Sequence, residues 1–221
     1  MLTSSSCSDR PSGPAAGLVV LEGMPGAGKT TAAAALAAAG SCVLGEYTDA
    51  AAATVDVGRH PDAADDDAHQ GNWLRKAAQC TALLAGGPRP VFADRDWLSS
   101  LSFAASLPGA DGRRLLQQRA DWAVRHLLAG SLLLPAAYAV FDLDPQASIE
   151  RRAGRRRPGH PWDDPAALAR LRDFYRSPAS ALEDLSPELA AALALPRRVS
   201  ICGLTARDQT AAGLAAAGRQ A

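Results

Sequence analysis

Lysine is nearly absent from this chain of 221 residues: of its 23 cations only Lys29 and Lys76 are lysines, leaving 21 arginines beside 49 alanines, the bias of a GC-rich genome. Lysine that persists against such a bias points to a chemical need at those two positions. Net charge is also lacking, because the 23 cations are balanced by 23 Asp and Glu. A broad electrostatic pull on phosphate backbones is therefore missing, which argues against nucleic acid as a partner and confines any anion site to a local feature. No apolar run is long enough for a bilayer, since the longest, near Leu132–Phe141, contains a proline and falls far short of the ~20 residues a span requires. Cysteine is sparse, and Cys7, Cys42, Cys80 and Cys202 show no CxxC spacing. A zinc site or disulfide framework is thereby disfavoured, and reduced thiols, three of them buried, are expected. Residues 1–16 are rich in Ser, Pro and Gly without a basic start or an apolar core, so they read as a loose tail and not a signal peptide, with the cytoplasm as the default location.

What is present is an alternation of short apolar runs and helical stretches. Leu18–Leu21 is wholly apolar and suits a strand buried on both faces of a parallel sheet. A glycine-rich segment follows, and Thr30–Ala39, almost all alanine, predicts a helix closed by Gly40. Further strands are expected at 42–44, 91–93, 138–141 and 199–202, with helices over 72–84, 98–105, 111–128, about 145–153 and 165–175, and a last helix from Thr205. The polar stretch 45–71, which holds Asp62, Asp65, Asp66 and Asp67, carries the weakest structural signal. Strands alternating with helices imply right-handed βαβ crossovers, hence a three-layer α/β/α sandwich with a five-stranded parallel sheet. One domain over residues 17–221 is the natural division, with a lid at about 154–162.

Gly23-Met24-Pro25-Gly26-Ala27-Gly28-Lys29-Thr30 fits G-x-x-x-x-G-K-[ST] and lies between the strand and helix that this motif demands, with Thr31 continuing into the helix. Its glycines let the backbone curl so that successive N–H groups face phosphate oxygens, at a helix N-terminus that adds partial positive charge. Lys29 is expected to reach the β- and γ-phosphates of ATP, and the Thr30 hydroxyl to ligate Mg²⁺.

Two further segments separate among the uses of such a loop. The run Val91-Phe92-Ala93-Asp94-Arg95-Asp96-Trp97-Leu98-Ser99-Ser100-Leu101-Ser102-Phe103 resembles the third-strand signature of thymidylate kinases, D-R-x-x-x-S-S-L-A-Y, departing from it at Ser102 and Phe103. Phe141-Asp142-Leu143-Asp144-Pro145-Gln146-Ala147-Ser148-Ile149-Glu150-Arg151-Arg152 is similar to the strand-4 signature L-x-D-P-E-x-A-L-E-R, and an arginine-rich segment, Arg155, Arg156 and Arg157, follows it. The resemblance is to the P-loop nucleoside and nucleoside-monophosphate kinase group as a whole, not to one member.

That resemblance implies roles. Asp94, at the end of the third strand, is expected to hold Mg²⁺, and Arg95 to bridge the acceptor and the transferred phosphate; an Asp94–Arg95 ion pair capping the next helix is the structural alternative. Arg151, Arg155 and Arg156 resemble lid arginines that spread charge from the γ-phosphate. Glu46 stands where the group carries the carboxylate that accepts a proton from a sugar hydroxyl, and it could equally be a plain loop acid. Asn72, Lys76 and Gln79 share a helix face and become candidates for acceptor binding, whereas Trp73 belongs to the apolar stripe. Arg59 is the only arginine between Gly45 and Gly71, while four aspartates crowd Asp62–Asp67. A second anionic phosphate is poorly accommodated there, so a hydroxyl acceptor is favoured. The expected activity is therefore ATP- and Mg²⁺-dependent phosphoryl transfer to a small molecule, a nucleoside, nucleotide or related natural product. An antibiotic-modifying phosphotransferase on the same fold, or a regulatory ATPase without an acceptor, are the rivals, and a homodimer is left open.

Overall fold

The computed structural model describes residues 13–47, 66–87, 89–155 and 159–202, with the side chains of 66–68 and 155 left aside. Its centre is the apolar run foreseen in the sequence: β1 (Ala15–Gly23) buries Leu18, Val19, Val20 and Leu21 almost completely. It runs parallel to β3 (Val91–Asp94) on one side and β4 (Pro135–Asp142) on the other, with Leu21 opposite Asp94 and Gly23 opposite Phe141. β2 (Cys42–Leu44) and β5 (Arg197–Cys202) form the edges, giving five parallel strands in the order β2-β3-β1-β4-β5.

This order fixes the layers. From β1 the chain steps across β3 to reach β2, through α1 (Lys29–Ala38), and then returns to β3 through α2 (Asp66–Ala85). Right-handed crossovers in opposite directions place α1 and α2 on opposite faces. The later steps run in the second direction, so α3 (Leu98–Ser106) and α4 (Gly109–Leu128) lie on the α2 side. With them come α5 (Pro145–Arg151), α6 (Pro165–Arg176), α7 (Pro178–Leu182) and α8 (Pro187–Leu193). The α/β/α sandwich is as expected.

Several boundaries differ from the sequence reading. β1 begins at Ala15, inside the stretch read as a tail, because Ala15 N–H donates to Leu134 O at 2.7 Å and adds a rung to the sheet. α2 begins at Asp66, so the end of the polar stretch is helical. Strand β4 extends to both sides of the predicted 138–141. The helix predicted over 145–153 stops at Arg151, and a 3₁₀ turn covers Ala153–Arg155. α7 and α8 had no counterpart in the sequence reading; each opens with a proline directly after a serine. Of the cysteines described, Cys80 alone is buried, Cys42 being half-buried on an edge strand and Cys202 exposed on the other edge. The helix expected from Thr205 lies outside the described residues. Among them, no helix is long and apolar enough to cross a membrane.

Candidate active site

Lys29, Thr30, Glu46, Asp94 and Arg95 gather at the C-terminal edge of the sheet, where parallel strands hand over to loops. Glycine at the last position of β1 is a packing necessity: Gly23 has φ +122°, and a Cβ there would lie 2.3 Å from Phe141 O. The next amide, Met24 N, donates to that same carbonyl at 2.9 Å. Gly26 and Gly28 also hold positive φ, 71° and 97°, which turns the loop back into α1. The α1 ladder opens with Ala32 N donating to Gly28 O at 2.9 Å, so the N–H groups of the first turn have no acceptor within the helix. Pro25, Ala27 and Thr31 complete the curve, and the whole makes an anion cradle of backbone dipoles.

Lys29 is 5% exposed, and its Nζ donates to Gly23 O at 3.0 Å and Met24 O at 2.8 Å, across the mouth of the loop. Burial, reinforced by the Arg95 guanidinium, lowers its pKa to about 7. Beside it, Thr30 Oγ1 donates to Asp94 Oδ2 at 3.0 Å. Asp94 is 2% exposed, and its Oδ1 is buried without a hydrogen-bond partner among the described residues. A hydroxyl and a carboxylate with one idle oxygen are oxygen donors of the kind Mg²⁺ prefers, so these two residues fit a hydrated magnesium ion.

The next residue carries the second half of the site. Arg95 is the one non-glycine residue with positive φ, 67°, among those described. That uncommon backbone is held by Arg95 N donating to Leu21 O at 3.0 Å. Its guanidinium lies 3.1 Å from Glu46 Oε1 through Nε, and 3.7 Å from Glu22 Oε2 through Nη1. Burial pulls the Arg95 pKa down, but Glu46, Tyr175 and Glu22 together outweigh it, and the guanidinium is held firmly charged. Glu46, just beyond β2, keeps its side chain 40% exposed at the mouth of the site. The alternative of an Asp94–Arg95 pair capping the following helix is overturned. Asp96 Oδ1 accepts Leu98 N–H at 2.8 Å at the start of α3, and Arg95 pairs with glutamates instead.

Beneath Arg95 lies a network with no assigned role in the sequence reading. Glu22 is completely buried. Its carboxylate accepts Ser99 Oγ at 2.8 Å, Tyr175 OH at 2.8 Å and Asp96 N–H at 3.1 Å. Ser102 Oγ lies 2.9 Å from Tyr175 OH, and Tyr138 OH donates to Asp96 Oδ2 at 3.1 Å. Burial and the neighbouring Glu22 raise the Asp96 pKa to about 8, while burial and Glu22 also push Tyr175 well above the usual phenol value. A glutamate at the end of an otherwise apolar strand was the sequence signal for this network.

The remaining predicted residues divide. Asn72 and Lys76, 0% and 2% exposed, sit one turn apart on α2 and reach the site, but their donors meet protein backbone. Asn72 Nδ2 donates to Glu46 O at 3.1 Å, and Lys76 Nζ donates to Asp94 O at 2.5 Å and Glu46 O at 3.3 Å. Gln79 is exposed and one further turn down the helix, away from the sheet edge, so it does not join the site. Trp73 is 4% exposed in the core, its Nε1 donating to Ser100 Oγ at 2.9 Å.

On the other side α5 sits over the phosphate loop. Ser148 Oγ donates to Pro25 O at 2.7 Å, a contact missed in the sequence. A Cβ on Gly26 would meet Arg152 Cγ at 3.2 Å and Arg151 Cβ at 3.5 Å. Arg151 is exposed at the end of α5. Arg152 is turned away, donating to Trp162 O at 2.9 Å with Asp163 Oδ1 3.8 Å distant. Arg155 ends the 3₁₀ turn, while Arg156 and Arg157 lie outside the described residues, as do Arg59 and Asp62.

A curled glycine loop between a buried strand and a helix, with Lys29 across its mouth and the Thr30–Asp94 pair beside it, defines a P-loop nucleotide-binding domain. The chain belongs to the AAA domain family, whose model matches residues 18–177. Among solved structures the fold is similar to that of deoxyadenosine kinase from M. mycoides, bound to the products dCMP and a flexible dCDP. The two are 11% identical, with a TM-score of 0.58 over 92% of this chain and 100% of that one. The comparison with curated proteins returned no match.

Proposed function

We propose that this protein is an ATP- and Mg²⁺-dependent kinase that phosphorylates a hydroxyl group of a nucleoside or a nucleoside-like small molecule. The observation that carries this reading is the Arg95–Glu46 pair at 3.1 Å, standing at the same sheet edge as Lys29, Thr30 and Asp94. Nucleotide hydrolysis by a switch protein has no need of an acceptor-side carboxylate clamped by an arginine. A hydroxyl acceptor does, because its proton must leave as the oxygen attacks. Glu46 is exposed enough to meet a substrate, and Arg95 orients it while presenting its remaining N–H groups to the transferred phosphoryl group.

The P-loop backbone and Lys29 would hold the β- and γ-phosphates, and Thr30 with Asp94 would hold the metal, which neutralises charge on the transferring phosphate. Arg151, at the end of α5 beside Gly26, is a candidate to meet the γ-phosphate, as are Arg155 and Arg156. The likeness in fold to deoxyadenosine kinase supports an acceptor of the nucleoside class.

The test is consumption of ATP by the purified protein, screened across nucleosides, nucleoside monophosphates and hydroxylated antibiotics, with the phosphorylated product identified by mass. Acceptor-dependent turnover with a nucleoside is the expected result. Hydrolysis unaffected by any acceptor would replace the kinase reading with that of an ATPase.

A further inference from the structure

Lys76 is the second of the two lysines and lies buried beside the candidate site. It is 2% exposed near the middle of α2, and burial lowers its pKa to about 8 despite Asp94, Asp96, Cys80 and Glu46 nearby, all of which favour the charge. A buried ammonium is expensive unless its protons are used. Here one N–H meets the carbonyl of Asp94 at 2.5 Å and another the carbonyl of Glu46 at 3.3 Å. The ammonium also stands 5.6 Å from the centroid of the Trp73 ring, whose indole N–H is fixed on Ser100. Asn72, one turn earlier, donates to the same Glu46 carbonyl at 3.1 Å.

We propose that Lys76 and Asn72 are positioning residues that hold Glu46 against Arg95, with Lys76 as a single strut joining the end of β3 to the loop after β2. The two carbonyls it bridges belong to the residue that faces the phosphate side and the residue that faces the acceptor side. Their separation is therefore set by one side chain anchored in a helix. β2 is only three residues long and half-buried, so the sheet itself does little to hold the loop that carries Glu46. Arginine could not replace this lysine, because a planar fork is larger and directs its donors in one plane, whereas a compact ammonium offers three donors in three directions. This accounts for the second lysine in a chain that otherwise uses arginine.

The inference rests on the proposed role of Glu46, so its test pairs a kinetic with a non-kinetic readout. Lys76→Met is made in the native background and on Glu46→Gln, and Asn72→Ala is made in both as well. Steady-state rates are measured with the acceptor found in the screen, and urea unfolding is measured without any ligand. A positioning role predicts that Lys76→Met lowers kcat by about tenfold or more with KM for ATP nearly unchanged, and that it has little further effect once Glu46 is already Gln. It also predicts that Glu46→Gln shifts the urea midpoint in the native background and much less in Lys76→Met, because the ion pair with Arg95 has already been loosened. Equal losses in both backgrounds, or a loss confined to KM for the acceptor, would overturn the proposal and make Lys76 a substrate contact. Should no acceptor be turned over, the kinase reading fails while the urea cycle still decides the positioning role. If Lys76→Met does not fold, the Asn72→Ala cycle carries the same two outcomes.

Discussion

Thr30 Oγ1 and Asp94 Oδ2 are 3.0 Å apart, so a single hydroxyl joins the first turn of α1 to the end of β3. The second carboxylate oxygen, Oδ1, is buried and unpartnered among the described residues. A buried, unpartnered carboxylate oxygen is costly unless a cation or its hydration shell uses it. Asp94→Asn keeps the shape and the acceptor for Thr30 but removes the charge. The Mg²⁺ concentration for half-maximal rate should rise by about 10- to 100-fold, while metal-free nucleotide binding changes little. A metal titration of the rate checks this, and an unchanged requirement would place the metal elsewhere.

Lys29 should make nucleotide affinity depend on pH. With its pKa at about 7 through burial and Arg95, the free protein is largely deprotonated at Lys29 by pH 8. A polyphosphate set against the ammonium raises that pKa, so binding draws a proton from solvent. Affinity is then highest at and below about pH 7 and falls above it, approaching tenfold per pH unit at the steepest. Calorimetry at pH 8 in buffers of different ionisation heat should show proton uptake that Lys29→Met abolishes. The stability sign is also determined. The unfolded chain holds the Lys29 proton up to its ordinary value of 10.5, so between about 7 and 10.5 the unfolded state binds more protons and this group's penalty shrinks as pH rises. Lys29→Met should therefore raise the urea midpoint at pH 7 while losing turnover.

The legible part of this molecule is the part built on local pattern. Leu18–Leu21, the glycine loop and the alanine helix each state their structure in consecutive residues, and the order of strands and crossovers follows from their alternation. Glu46 and Arg95 were named as site residues from motif positions 49 residues apart in the chain, and their contact is visible only when β2 and β3 pair. The Glu22 network escaped because it unites residues from β1, the loop after β3, α3 and α6, whose proximity is a property of packing. Gln79 was grouped with Asn72 and Lys76 because helical periodicity reports which face a residue occupies, not how far along the helix the site ends. Ser148 carried no signal, since its acceptor is the Pro25 carbonyl, 123 residues away.

Gly23 offers a test of the fold that needs no activity. A Cβ at this position would press on Phe141 O at 2.3 Å from a backbone at φ +122°, and neither β1 nor β4 can retreat in the middle of the sheet. Gly23→Ala should cost about 2–4 kcal/mol. Gly40 is the control: its φ is +82° but nothing lies within 4 Å, so Gly40→Ala bears only the backbone penalty, about 1 kcal/mol. Urea denaturation of the two variants checks the difference, and equal effects would contradict the close approach of β1 and β4.

The pair Glu46 and Arg95 separates a hydroxyl acceptor from a phosphate acceptor. Glu46→Gln preserves size and a polar oxygen beside Arg95 Nε but cannot take up a proton. If the acceptor is a hydroxyl, kcat should fall by about 10²–10⁴-fold with a modest change in KM. Arg95→Lys keeps a charge to balance the buried Glu22 and so spares the fold better than Ala, yet it cannot span both glutamates, which lie at 3.1 and 3.7 Å from different nitrogens of one guanidinium. It should therefore lower the rate with either kind of acceptor. A nearly silent Glu46→Gln beside a crippled Arg95→Lys would mean that the acceptor oxygen is already ionised, as in a nucleoside monophosphate, because such an oxygen attacks without a base. Silence of both variants with every acceptor would make the pair a structural clasp between β2 and β3 and remove the acceptor site from this edge of the sheet.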